Sequence, residues 1–130
     1  MSWNADHHKR FLAICNEAVN NLDVFLSFKR NKDFIEICEH LNDSFSEDLI
    51  KIISCQTPGF WNSLNLLSQN DWLGDADRVY HSSIDYSISS STLRYIKVLS
   101  DLVILFGYPA NYRILEIGGG IGTLSYLMLN

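Results

Sequence analysis

The apolar residues in the first half of the chain recur at intervals of three and four, which is the spacing of one face of an α-helix. Over residues 6–28 this pattern predicts a single amphipathic helix. The same period returns over residues 34–41, 46–53 and 60–67 and predicts three further, shorter helices. Polar breaks separate these segments, so the first half of the chain is expected to be helical throughout.

The pattern changes in residues 72–91, where no helical period holds and glycine, aspartate and serine are frequent. This composition is typical of a connector, with a short extended piece over residues 84–88. The helical period then resumes over residues 92–106, where Ser91 or Thr92 could cap the helix start. Gly107 and Pro109 follow and predict the end of this helix.

The last part of the chain combines a short apolar run, a glycine-rich turn and a new apolar pattern. Residues 112–117 predict a β-strand, and residues 123–129 predict the opening of another helix. A strand that runs into glycines and then into a helix brings bare backbone to the ligand-binding edge of an α/β sheet. The turn is therefore the candidate ligand site.

The spacing of the turn distinguishes between possible ligands. Dinucleotide-binding turns have the spacing Gly-x-Gly-x-x-Gly, whereas Gly118, Gly120 and Gly122 give Gly-x-Gly-x-Gly. Glu116 precedes them, and a carboxylate there suits a ligand with an ammonium and a sulfonium better than a pyrophosphate. No Gly-Lys-Ser/Thr follows, which excludes a phosphate loop of the Walker type.

Residues 114–122, Ile-Leu-Glu-Ile-Gly-Gly-Gly-Ile-Gly, resemble motif I of class I S-adenosylmethionine (SAM) methyltransferases. The resemblance implies SAM as cofactor, with the backbone of Gly118, Gly119 and Gly120 beside its methionine part. It also implies that Glu116 orients the amino group of SAM and that Gly122 completes the turn. Glycine also serves tight turns that bind nothing, so a turn without a ligand is the alternative reading.

A second stretch resembles a narrower family. Residues 91–97, leading through Phe106 and Gly107 into the turn, are similar to bacterial sugar O-methyltransferases of surface-glycan gene clusters, as are Asn70-Asp71 and Gly74 in the connector. The resemblance implies a sugar or other small-molecule acceptor. It departs from the family at Ala76 and Asp77, where a proline-containing turn is expected. Arg94 and Tyr95 are weaker candidates for cofactor contacts, because helical residues of these types more often lie at the surface or core edge.

Composition limits the other possibilities. The net charge of -5 provides no cationic footprint for nucleic acid. The start of the chain has no apolar stretch behind its charges, and the longest apolar run is too short to span a bilayer, so we expect a cytoplasmic protein without membrane contact. The histidines and cysteines lack metal-ligand spacing, so no metal site is expected.

The expected fold is therefore mainly α. A helical N-terminal region (1–88) precedes the first strand, glycine-rich turn and first helix of a Rossmann-like methyltransferase domain (89–130), which is expected to continue past residue 130. The resemblance implies that the acid that binds the ribose lies in that later part. It implies the same for the catalytic residues. A strand without neighbours should fray or pair with a second copy in a homodimer. The alternative function is a non-enzymatic helical interaction or dimerisation module that keeps a remnant of the turn.

Overall fold

The chain forms helices through most of its length, together with one antiparallel pair of short strands, in a computed structural model that describes residues 5–38, 43–108, 112–117 and 122–129. The mainly α prediction is confirmed. The helices are α1 (Ala5–Asn20), α2 (Leu22–Ser27), α3 (Lys32–Cys38), α4 (Asp43–Gln56), α5 (Leu64–Leu67), α6 (Ser90–Phe106) and α7 (Thr123–Leu129). The strands are β1 (Val79–His81) and β2 (Tyr86–Ile88), and 3₁₀ turns occupy Phe28–Arg30, Pro58–Ser63 and Gln69–Asp71. None of the helices in these segments has the length and apolar character needed to cross a bilayer.

The single helix predicted over residues 6–28 is wrong, because the chain breaks at Asn21 into α1 and α2. Asn21 adopts extended backbone, with φ -138 and ψ 114, and its side chain accepts hydrogen bonds from the backbone N–H groups of Asp23 and Val24. An asparagine in this position caps a new helix start. The apolar period continues across the break, so the hydrophobic pattern alone does not reveal it.

An ion-pair cluster joins α1 to α3. The Arg10 guanidinium donates to Asp33 Oδ1 at 2.6 Å and to Glu36 Oε2 at 2.5 Å. These hydrogen bonds raise the pKa of Arg10 above its ordinary value, and the bond from Arg10 is the largest cause of the lowered pKa of Glu36. The groups are solvent-accessible, so the cluster orients the two helices more than it stabilises them.

The hydrophobic core lies where α4 packs against α6, with α5, α7 and β2 covering its edges. Apolar side chains from these elements are almost completely buried there: Leu49, Ile50, Ile53, Phe60, Leu64, Leu67, Ile88, Leu93, Ile96, Leu99 and Leu127. This cluster draws on both sides of the expected boundary between residues 88 and 89.

The start of α6 is fixed by a buried carboxylate. Ser89 is the capping residue, and its Oγ accepts from the Thr92 N–H at 3.1 Å, so the cap lies ahead of the predicted Ser91 or Thr92. The buried Asp71 carboxylate accepts from Ser89 N–H at 2.8 Å, Ser89 Oγ at 2.7 Å and Thr92 Oγ1 at 2.5 Å. These donors and the positive end of the α6 dipole compensate the buried charge.

The connector contains a β-hairpin, of which the sequence predicted only one arm. Val79 pairs with Ile88 and His81 with Tyr86, and Asp85 in the turn has a positive φ of 50. The first strand is only three residues long and has no alternating apolar pattern, which explains why it was missed.

The strand predicted over residues 112–117 is not formed. These residues have irregular backbone, and Leu115 and Ile117 are 83% and 88% exposed. A strand needs a hydrogen-bonding neighbour, and none of the described segments supplies one beside it. The helix predicted over residues 123–129 is confirmed as α7. A Rossmann-like arrangement is therefore not present in the described residues.

Candidate functional site

The glycine-rich turn links residues 112–117 to α7. Gly118, Gly119 and Gly120, which the resemblance places beside the cofactor, lie outside the described residues. Gly122 is described and has φ +78, a backbone conformation that residues with a side chain rarely adopt. A Cβ on Gly122 would meet no atom within 4 Å, so backbone conformation rather than space favours glycine there.

The Glu116 side chain is held by a residue in the first turn of α7. The Ser125 hydroxyl of α7 donates to Glu116 Oε2, and the carboxylate is half-buried. The contact spans nine residues and brings the acid before the glycines next to the helix after them. The predicted acid is thus positioned by a side chain that the sequence analysis did not single out.

The 3₁₀ turn Gln69–Asp71 also contacts α7. The Asn70 side-chain amide donates to Thr123 Oγ1 at 2.8 Å, and Thr123 is 2% exposed. One turn further along α7, the Tyr126 hydroxyl donates to Gln69 Oε1 at 2.6 Å. The start of α7 therefore has a fixed position against the Gln69–Asp71 turn.

Arg94 and Tyr95, the weaker cofactor candidates, lie together on α6. The Arg94 guanidinium lies 5.1 Å from the centre of the Tyr95 ring, and Tyr95 packs against the core. Within the described residues, the contacts of these two side chains do not include a hydrogen bond or ion pair to Glu116 or Gly122. Their positions agree with a role at the core edge.

A cavity of about 360 Å³ separates α6 from the segment that precedes the turn. Its lining is apolar apart from Arg113: Leu99, Leu102, Phe106, Gly107, Tyr112, Ile114, Leu115 and Met128. Few groups there could hold the ammonium, carboxylate or ribose of SAM. We interpret the cavity as loose packing beneath the unpaired segment.

Sequence reasoning missed Asn70, Thr123 and Ser125 as members of this site. The available signals were weak: Asn70 belongs to the Asn70-Asp71 pair that resembles the sugar methyltransferases, whereas the two hydroxyl residues follow the motif without being part of it. Long-range pairing of small polar side chains has no periodic signature.

Comparisons with protein-family models, with characterised proteins and with solved structures return no significant match. In the described segments, histidine, cysteine and carboxylate side chains do not gather in any group of three or more that could hold a metal ion. The site must therefore be interpreted from its own geometry and from the motif.

Proposed function

We propose that the chain is the N-terminal part of a SAM-dependent methyltransferase that methylates a sugar hydroxyl in surface-glycan biosynthesis. The observation that carries the proposal is the Glu116 carboxylate, which accepts a hydrogen bond from Ser125 and precedes in sequence the Gly-x-Gly-x-Gly motif of residues 118–122. An anchored carboxylate there can bind the ammonium group of SAM, and glycines allow the ligand close approach.

In the proposed reaction, the acceptor hydroxyl oxygen forms a bond to the methyl carbon of SAM as the bond from that carbon to sulfur breaks. The sulfur takes the electron pair and becomes a neutral thioether, and a base accepts the hydroxyl proton. The role of residues 116–122 is to hold and orient the methyl donor. The acceptor class rests on the resemblance of residues 91–97 and Asn70-Asp71 to sugar O-methyltransferases.

Titration of the isotopically labelled chain with SAM, followed by NMR, tests the cofactor. We expect changes confined to the amides of residues 116–125, with affinity no better than millimolar, because the resemblance assigns the ribose contact to none of residues 1–130. Glu116→Gln should remove these changes, whereas Glu17→Gln, an exposed substitution on α1, should leave them intact.

The absence of any change at the turn in a folded chain would refute the proposal. Adenosine serves as the ligand control, because it lacks the amino acid part of SAM that Glu116 is proposed to bind. Equal changes with adenosine would also contradict the assigned role of Glu116.

The second candidate function is a helical interaction or dimerisation module. Exposed apolar side chains favour it, since Leu105, Leu115, Ile117 and Leu129 are between 71% and 88% exposed. Exposed apolar surface can serve as an interaction site. Sedimentation equilibrium tests this function: a dimer that dissociates on Leu115→Asp would support it, and a monomer at all concentrations would refute self-association.

A further inference from the structure

A second depression lies on the connector, away from the apolar cavity under residues 112–115. It has a volume of about 410 Å³ and is lined by Arg30, Trp72, Arg78, Tyr86 and Ser87. Aromatic rings, guanidinium groups and a hydroxyl thus meet in one open space, which is a different chemistry from the apolar lining of the first cavity.

Hydrogen bonds join the two sides of this depression, which are residues 29–30 and residues 70–77. Lys29 is 2% exposed; its Nζ donates to the Asn70 carbonyl at 2.5 Å and its backbone N–H donates to the Gly74 carbonyl at 2.9 Å. Arg30 donates to Asp75 at 3.1 Å and to Asp77 at 2.8 Å. The depression is therefore preformed, which reduces the entropy lost when a ligand binds.

Trp72 provides an accessible aromatic face. The Arg78 guanidinium carbon lies 3.8 Å from the centre of the Trp72 ring and covers one face. Trp72 is nevertheless 67% exposed, so the rest of the indole is open to solvent. A stacked guanidinium fixes the orientation of the ring and leaves a flat apolar surface available.

The polar groups around the ring are balanced in charge. Arg30 is paired with Asp75 and Asp77, and Arg78 lies 3.5 Å from Asp75. The balance disfavours a phosphate, which needs unneutralised cations. Arg78 Nη1 is buried and has no hydrogen-bond partner among the described residues.

We propose that this depression binds a pyranose sugar. The C–H face of a pyranose ring is flat and apolar and packs on an exposed indole, while its hydroxyls both donate and accept hydrogen bonds. Arg30 and Arg78 provide N–H donors beside Trp72, and the Ser87 hydroxyl can both donate and accept. The assignment of this sugar as the methyl acceptor rests on the proposed function. The position of Trp72 favours it, because Asn70, two residues earlier, donates to Thr123 at the start of α7.

NMR titration of the folded chain with a methyl hexopyranoside, without SAM, tests the proposal. We expect millimolar affinity, with the largest shifts at the Trp72 indole and none at Trp61, whose indole donates to Ser54 Oγ at 2.9 Å. Trp72→Ala should weaken binding about tenfold or more. Tyr108→Ala removes an exposed aromatic outside the depression and should have no effect.

A glucuronide and inorganic phosphate form the other arms of the titration. Binding of both sugars at Trp72, without phosphate binding, supports the proposal; phosphate binding there, or no sugar shift at Trp72, overturns it. If Trp72→Ala unfolds, the shift map of the unmodified chain decides. Because SAM is absent, failure here is separate from failure of the SAM titration at residues 116–125.

Discussion

The packed helices and residues 112–117 contain similar apolar side chains but differ in what surrounds them. On α6, Leu93 and Ile96 are fully buried between α4 and its neighbours, whereas Leu115 and Ile117 are almost fully exposed. An α-helix satisfies its backbone internally and needs only one covered face. A strand needs partners for its backbone as well, and the described residues provide none beside residues 112–117.

This difference shows that an apolar run forms a strand only when another segment pairs with its backbone. The helical part contains its own core and should be stable alone, while the turn segment contributes little to folding. The glycine motif that indicates function thus follows residues 112–117, whose backbone has no strand partner among the described residues.

The same substitution made in both regions gives the most direct contrast. Leu93→Ala removes a fully buried side chain and should reduce the free energy of unfolding by about 2–5 kcal/mol. Leu115→Ala, at an 83% exposed position, should change it by no more than about 0.5 kcal/mol. Urea unfolding followed by circular dichroism measures both. Equal losses would show that residues 112–117 belong to the core.

Asp71→Ala removes the acceptor for the buried donors of Ser89 and Thr92 at the start of α6. We expect a loss of about 2–4 kcal/mol, because buried donors without partners keep their desolvation cost. The control is Asp101→Ala on the same helix, where the carboxylate pairs with Lys97 and is 43% exposed; this change should cost about 0.5 kcal/mol. Comparable effects of the two variants in urea unfolding would contradict the assigned role of Asp71.

Gly74→Ala tests the attachment of the N-terminal helices to the connector. Gly74 has φ +72, and a Cβ there would lie 2.3 Å from Phe28 Cε1. The ring must move, so we expect a loss of about 1–3 kcal/mol in thermal or urea unfolding. Gly107→Ala is the matched control, since Gly107 also has a positive φ of 79 and a Cβ there would meet no atom within 4 Å. A neutral Gly74→Ala would mean that Phe28 does not pack under the connector.

The smallest effect concerns pH. The hydrogen bond with His81, followed by the one from Ser83, lowers the pKa of Glu47 below its ordinary 4.5. A carboxyl whose pKa is lower in the folded chain contributes stability above its unfolded pKa and loses it as the pH falls through the folded value. Glu47→Gln should therefore flatten the acid side of the stability profile and leave the pH dependence above neutrality unchanged. An unaltered acid limb would exclude this contribution.

The hydrophobic period predicted the helical character of the chain well, because the residues on the buried face of a helix recur every three or four positions in the sequence. The break at Asn21 was missed because a cap depends on one side chain and not on a period. The β1 strand is too short for a pattern to show. The strand over residues 112–117 was predicted from local apolar character, although its formation depends on partners that no local pattern contains.

Only those residues of the candidate site that belong to the glycine motif could be predicted from the sequence. Glu116 and Gly122 follow from the spacing of the turn, and Gly122 has the positive φ that such a turn needs. Ser125 contacts Glu116, nine residues earlier, and Asn70 contacts Thr123, 53 residues later. Neither the depression around Trp72 nor the buried Asp71 could be predicted, because both are assembled from distant parts of the chain.

Amide hydrogen exchange on the monomeric chain tests the central contrast most directly. We predict strong protection in α6, especially from Ile96 to Ser100, and rapid exchange from Ile114 to Ile117, where the backbone has no strand partner among the described residues. Strong protection of Ile114 to Ile117 in a proven monomer would contradict this prediction, because these amides would then be hydrogen-bonded within a folded part of the chain.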